Sequence, residues 1–462
     1  MGVLPIANGG PMRSEAQGAE AGAADRMANR PLGRSLSDSA ARRFVNFGAI
    51  YFAQGLPMGF AVFAIPAWLA EARVPTASIG FVGATTMLPW AFKVVWAPLV
   101  DRFKYRPMGR FRAWILAAQS GLAASTVALL ALPSPPTHLR ALAGVLFAQA
   151  LFASMSDVAG DGLAVEVLPE QERGLANAVM MAAQAVGNVV GGAGLSAVLA
   201  VQAIPAFRVA SGLSLLLLLG ACTPTVLLRE RPGERLLPWT AGSAATVAAD
   251  RAPLPLRGGA GLLVRSVLAR ASVHALVVWI AAYFLSGSLG ILMTAAAVKE
   301  HGFRQAEYAS LGALALAPNL IGAFVGGRLA DQWGRGPVVA AALALGAIAW
   351  GGFGLLSPEW SMKGVWVVQA LAAAAASGAL LTVLTALFMD LVDPRIAATQ
   401  FATCMALGNL GSVLGRALSG PLVARVPLPS LAIAAGALLA TLAAVTLWTA
   451  GASPISPSSR KV

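Results

Sequence analysis

Runs of about 20 apolar residues, the length of a membrane span, recur twelve times along this chain, and nothing else in it constrains the fold as strongly. A helix of that length crosses a hydrocarbon core of about 30 Å, where no water can satisfy a free backbone amide. The runs lie near 44–70, 79–100, 112–132, 141–165, 174–200 and 206–228, then near 271–297, 306–329, 337–356, 364–389, 397–420 and 430–449. Between the two sets stands 229–270, rich in Pro, Gly and Arg. The reading is an all-α membrane protein of twelve transmembrane helices in two six-helix halves, 44–228 and 271–450. Residues 1–43 and 451–462 read as disordered cytoplasmic tails, and 229–270 as a cytoplasmic linker. The linker ends in GGAGLLVRSVLAR, which predicts a short interfacial helix with leucines on one side and arginines on the other. The N-terminal tail lacks the continuous apolar core of a signal peptide. Charged residues make up 11% of the chain, against about 25% in a soluble domain, which excludes an ordinary globular protein. The alternating segments of about 10 residues that an outer-membrane barrel needs are absent from the sequence.

A net charge of +13 raises the question of nucleic acid, and its distribution answers it. With the N-terminus inside, the inner segments carry 24 of the Lys and Arg residues and the outer loops 7. That asymmetry is the signature of membrane topology, so no nucleic-acid partner is expected. Both termini are predicted to be cytoplasmic, in a multi-pass protein of the inner (plasma) membrane whose surroundings are the lipid bilayer. A monomer is the expected state.

The halves repeat. APLVDRFKYRPMGRFR (97–112) follows the second span, and GGRLADQWGRG (326–336) follows the eighth. Each has an Asp at the membrane exit, Asp101 or Asp331, followed by a Gly-Arg pair, Gly109-Arg110 or Gly334-Arg335. VGNVVG at 186–191 matches LGNLG at 407–411. The two matches are offset by nearly the same length of chain, so both map one half onto the other as a parallel repeat.

The loop pattern resembles the short cytoplasmic loop motif of the major facilitator superfamily. YFAQGLP (51–57), LPWAFKVVWAPLVDR (88–102), SDVAGDGLAVEVLPEQERGLANA (156–178) and FMDLVDP-x4-TQ (388–400) resemble one branch of it. That branch holds AmpG-like muropeptide permeases, RhtX/FptX-like siderophore importers and acetyl-CoA transporters. The resemblance implies a secondary carrier that imports a sizeable polar small molecule, with a proton gradient as its driving force. A muropeptide is the first choice, a siderophore the second and an acyl-CoA the third. It also implies that spans 1, 4, 7 and 10 line the pathway, where Gln54, Gln149, Tyr283, Ser286, Gln369 and Thr382 are the polar candidates for a substrate cavity.

Charges inside a membrane are costly and ask for partners. Asp157 and Asp161 are one helical turn apart and share one helix face. Asp161 precedes Pro169 by the same spacing as Lys93 precedes Asp101, so the lysine and the acids match in depth. Lys93 is predicted to pair with Asp157 or Asp161, either as a proton-coupling group or as a fixed brace. Glu166, nearer the headgroups, is predicted to meet loop arginines such as Arg102 or Arg110. Together with Asp101, Asp331 and Arg335 these form the candidate cytoplasmic gate. Gly187-x3-Gly191 and Gly411-x3-Gly415 read as close helix packing. Arg416, within span 11, is a cation that either attracts an anionic group or snorkels to the outer headgroups.

The rival from another class is a membrane transferase holding a divalent ion in an acid cluster. Such a site wants Asp-x2-Asp-Gly with further acids on the next helix. Here the spacing from Asp157 to Asp161 is one position too long, and 174–200 contains no acid. Cys222 and Cys404 are far apart in apolar runs, and three histidines form no ligand pattern, so neither metal nor cofactor is expected. No enzyme activity is expected.

Overall fold

A computed structural model describes residues 35–103, 105–133, 135–201, 206–242, 256–392 and 397–452. Residues 1–34 and 453–462 of the predicted tails, the linker segment 243–255, Asp393 and the side chain of Asp101 lie outside the described residues.

The chain is helical throughout. In order the helices are α1 (Ala40–Glu71), α2 (Thr76–Ala91), α3 (Lys93–Arg102), α4 (Arg112–Ala131), α5 (Leu139–Val167), α6 (Glu170–Val189, continued by a π turn at Val190–Gly194 into Leu195–Leu199) and α7 (Ala206–Leu227). Then follow α8 (Leu256–Val267), α9 (Arg270–Lys299), α10 (Gln305–Trp333), α11 (Arg335–Leu355), α12 (Lys363–Leu391), α13 (Ala397–Val423) and α14 (Leu428–Ala452). Among the described residues, 10 helices are long and apolar enough to cross a membrane. Two predicted spans are not among them. Span 79–100 is broken at Phe92, because Pro89 donates no backbone hydrogen bond and Phe92 adopts φ −94°, ψ 11°. In α13, Asn409, Arg416 and several glycines dilute the apolar run.

The packing repeats between the halves. α1 lies on α6 as α9 lies on α13, and α2 pairs with α5 as α10 pairs with α12. α4 packs on α5 and α7 as α11 packs on α12 and α14. Glycines fix the first of these contacts in both bundles. A Cβ at Gly191 would stand 1.9 Å from the Leu56 carbonyl, and one at Gly415 would stand 2.2 Å from that of Phe284. Only glycine lets the two backbones approach so closely. The partner strips are YFAQG (51–55) and YFLSG (283–287), whose glycines press on Gln184 and Ser412 in turn.

The two bundles meet at the end predicted to face outside. A Cβ at Gly80 of α2 would stand 2.4 Å from the Arg416 carbonyl of α13, and one at Gly420 would stand 2.4 Å from the Ala77 side chain. Arg73 donates to the Lys299 carbonyl at 2.8 Å, and the Lys299 ammonium donates back to the Val74 carbonyl. Further in, Asn409 Nδ2 donates to the Trp90 carbonyl at 3.1 Å.

Two segments read as loose from sequence are ordered on the opposite end. Leu36–Asp38 form a 3-10 turn and residues 40–43 begin α1. Buried Arg43 holds them, donating to the Leu36 carbonyl at 2.9 Å and to Glu172 at 2.6 Å. The start of the linker is fixed by the needs of α4. That helix has no acid in its first turn, and its free N–H groups require an acceptor. Glu230 supplies it, accepting the backbone N–H of Arg110, Phe111 and Arg112 at 3.1–3.3 Å. Gly109, at φ +98°, makes room, since a Cβ there would collide with the Glu230 carboxylate.

Candidate functional site

The break at Phe92 sets Lys93 at the head of α3, beside the face of α5 that carries Asp157 and Asp161. The Lys93 ammonium forms an ion pair with Asp157 and stands 4.0 Å from Asp161 Oδ2. It also lies 5.9 Å from the Trp90 ring centre, a cation–π contact. The Tyr51 hydroxyl of α1 donates to Asp161 Oδ1. The packing of α1 on α5 brings it there, with the Tyr51 ring lying beside Gly160. Three helices therefore converge on two carboxylates and one ammonium. The acids differ in setting: the Asp157 side chain is 8% exposed and that of Asp161 55%. One cation cannot neutralise both, so the cluster carries one surplus carboxylate.

The charges of the loops predicted to face the cytoplasm are paired within bundles. Glu166 receives Arg231 at 2.6 Å and Arg110 at 3.7 Å, all within the first bundle and its linker. Arg335 pairs with Asp390 within the second. The two arrangements are repeat mates, an arginine opening the third helix of its bundle against an acid closing the fourth. Arg102 and Asp331 are exposed. The cluster of Lys93 has no such mate among the described residues, because α12 ends without acids one helical turn apart on the facing surface.

Two cavities flank the junction. One, of about 10 Å3 and so with room for a single water, lies among α1, α2 and α5, lined by Thr86, Trp90 and Gln149. Gln149 donates to Thr126 at 2.8 Å, while its Oε1 and Trp90 Nε1 have no partner among the described residues. The other, of about 230 Å3, lies in the second bundle. Ser286, Tyr308, Trp350, Gln369 and Ser377 give it polar walls, and Gln369 Nε2 is likewise unpaired. Gln149 and Gln369 stand on the repeat-related helices α5 and α12. Buried polar atoms without partners are costly, and those at a cavity wall are groups a cargo can satisfy. The remaining candidates sit elsewhere. Gln54 is buried with both amide atoms unpaired among the described residues, Tyr283 packs on Trp279 at 4.8 Å, and Thr382 faces Gly327 of α10. His274 is satisfied by Thr446 at 2.9 Å.

Sequence reasoning did not single out Tyr51, although it opens the YFAQG strip and recurs as Tyr283 in YFLSG. It also missed Glu230 and Glu234, whose signal was an α4 start lacking acids beside a linker start rich in them. Burial raises the carboxyl of Glu230, offset in part by its three backbone donors. Burial likewise pushes Glu234 up to about 7, against a single backbone N–H from Arg231 that lowers it. Among the described residues no group of His, Cys, Asp and Glu is arranged to hold a metal ion.

Comparison with known proteins bears on what this arrangement does. The model of the Major Facilitator Superfamily matches residues 47–295 and 275–461. The anhydromuropeptide permease of Escherichia coli strain K12 is 27% identical over 379 residues, spanning 80% of this chain and 71% of that one. An uncharacterized protein of Haemophilus influenzae is 34% identical over 151 residues, about a third of either chain (32% and 34%). Among solved structures, a POT family transporter in complex with a thioalcohol-conjugated peptide superposes with a TM-score of 0.67 at 10% identity, covering 89% of this chain and 95% of that one. A D-xylose–proton symporter gives 0.62 at 14%, covering 88% and 96%. At such identities the structural likeness concerns the fold alone.

Proposed function

This chain belongs to the Major Facilitator Superfamily as an AmpG-like permease rather than an enzyme, and we propose that it imports a muropeptide-like metabolite, driven by the downhill entry of protons. In this reading twelve spans, α2 with α3 counting as one and α13 included, form two bundles in the inner membrane with both termini cytoplasmic. The conformation described is closed toward the outside, through α2 on α13 and the Arg73–Lys299 contacts. The protein works as a monomer, its cargo passing between the bundles.

The observation that carries the proposal is the pair of carboxylates sharing one lysine. With the outside open, Asp161 takes a proton from water there, and the cluster becomes neutral as Lys93 remains paired with Asp157. A neutral cluster crosses the closed state at less cost than a charged one. Once the inner side opens, the half-exposed Asp161 gives its proton to cytoplasmic water. The span made of α2 and α3 links this step to the bundles, because both of its pieces pack on α5 of the first bundle and on α13 of the second. The ion pairs Arg110–Glu166 and Arg335–Asp390 then keep each bundle's inner loop rigid as it moves. Ser286, Gln149 and Gln369 offer hydrogen bonds to a polar cargo.

The test is uptake of labelled anhydromuropeptide by proteoliposomes with an imposed pH gradient. Accumulation that follows the gradient and collapses with a protonophore is expected. Uptake indifferent to the gradient removes the coupling, and no uptake removes the cargo.

A further inference from the structure

Among the described residues three arginines are buried: Arg43, Arg112 and Arg416. Two are fully engaged. Arg43 binds Glu172 and the Leu36 carbonyl, and Arg112 donates to the carbonyls of Thr225, Val226 and Arg235. Arg416 has neither. It is 8% exposed, its Nε is enclosed without a partner, and no hydrogen bond or ion pair reaches its guanidinium among the described residues. Nor does it snorkel. It stands two turns inside the end of α13 at Val423, about 10 Å at helical rise. Its head lies against Gly83 of α2, itself two turns inside the helix start at Thr76, where a Cβ would stand 3.4 Å from Arg416 Cδ and Nη1. Ile291 of α9 closes the same place. The guanidinium thus occupies the seam between the bundles, the surface that must part when the outside opens.

A cation in such a place, unpaired and enclosed, is expensive to keep unless an anion visits it. Guanidinium binds carboxylate or phosphate through paired N–H donors. A single positive charge matches a monoanion, and the two cations that also bridge the bundles at this end, Arg73 and Lys299, are spent on backbone carbonyls. We infer that Arg416 is a specificity-determining residue that binds a carboxylate of the cargo when the outer side is open. Gly80 and Gly83 keep the facing wall of α2 bare, so that the carboxylate can enter the seam. Closure then requires the anion to move off toward the cavities lower in the bundles, where Gln149 and Gln369 stand. Arg416 acts as a filter at the entrance and the acid cluster supplies the drive below it.

The inference rests on the chain being a carrier of a polar metabolite, and the experiment separates the two. Binding of anhydromuropeptide with free carboxylates, and of the same compound with its carboxylates amidated, is measured on the purified protein. Wild type is expected to prefer the free acid at least tenfold. Arg416→Gln is expected to bind both forms equally, with the amidated form bound as by wild type, which reports an intact fold. Arg416→Lys is expected to keep part of the preference. Preference retained by Arg416→Gln overturns the inference, and so does loss of both forms together, which marks a structural arginine. If wild type binds neither form, the choice of cargo fails instead. The same comparison then runs over a panel of amino acids, peptides and sugar acids against their amides, and no carboxylate preference in that panel overturns the role of Arg416.

Discussion

Replacing Asp161 by asparagine isolates the surplus charge of the acid cluster. The substitution removes one carboxylate but keeps the Lys93–Asp157 ion pair, and the asparagine Oδ1 still accepts from the Tyr51 hydroxyl. The fold and the alternation of the bundles are therefore expected to survive. The count of charges sets the magnitude. On the proposed mechanism one surplus carboxylate carries one proton per cycle, and a gradient of one pH unit then supplies about 1.36 kcal/mol, a tenfold accumulation of cargo. With the membrane potential clamped at zero, wild-type proteoliposomes should reach roughly tenfold accumulation at one unit of gradient by this arithmetic. Asp161→Asn should equalise cargo across the membrane and accumulate none. Exchange of labelled for unlabelled cargo, which needs no net proton movement, should run at the wild-type rate. Accumulation preserved in Asp161→Asn refutes the reasoning. Loss of exchange along with accumulation refutes it too, since the acid would then be a brace on which the fold depends.

Lys93→Ala leaves two carboxylates one helical turn apart with no cation. The loss should lie toward the low end of the ~3–5 kcal/mol for breaking a buried pair, because Lys93 keeps 30% exposure. Thermal denaturation in detergent reads it, and Lys93→Ala combined with Asp157→Ala should recover part of the loss. Gly191→Ala forces α1 off α6 and should greatly reduce folded protein, whereas Gly144→Ala, which meets nothing within 4 Å, should be silent by size-exclusion chromatography. Glu234 titrates near 7 when folded and near 4.5 when free, so the folded state holds the extra proton between those values. Its contribution is fullest below about pH 4.5 and is lost as pH rises through about 7, by roughly 1 kcal/mol once water access is allowed for. Glu234→Gln should flatten that decline in the denaturation midpoint, and an unchanged slope counts against the assignment.

The spans and the contact of Lys93 with the acids are legible because both follow from cost in hydrocarbon. A run of apolar residues has few other places to go, and a lysine at the depth of two acids finds them with little else in reach. The contacts of Arg110 and Arg335 were less legible. Sequence shows that an arginine sits near acids, but whether it pairs within its bundle or across the gap depends on helix rotation, which periodicity in an almost wholly apolar helix does not report. Tyr51 was hidden for a related reason: its ring fits an apolar run, and only the packing of α1 on α5 brings its hydroxyl to Asp161. The break at Phe92 was foreshadowed by Pro89, yet a proline can bend a span without ending it. The ordered start of the linker depends on α4 lacking its own acid, a need written on one segment and met by another far along the chain.

The packing is doubled while the charge is not. Glycine contacts, helix pairs and loop arginines occur in both bundles, but the lysine and its two acids belong to the first, and the larger cavity belongs to the second. On the proposed mechanism, a lineage carrying this architecture can exchange residues such as Gln369, Ser377 or Trp350, and so try new nutrients, while the machinery that energises uptake stays untouched. Diversification of diet and conservation of drive are then separate evolutionary problems, solved on opposite sides of one molecule.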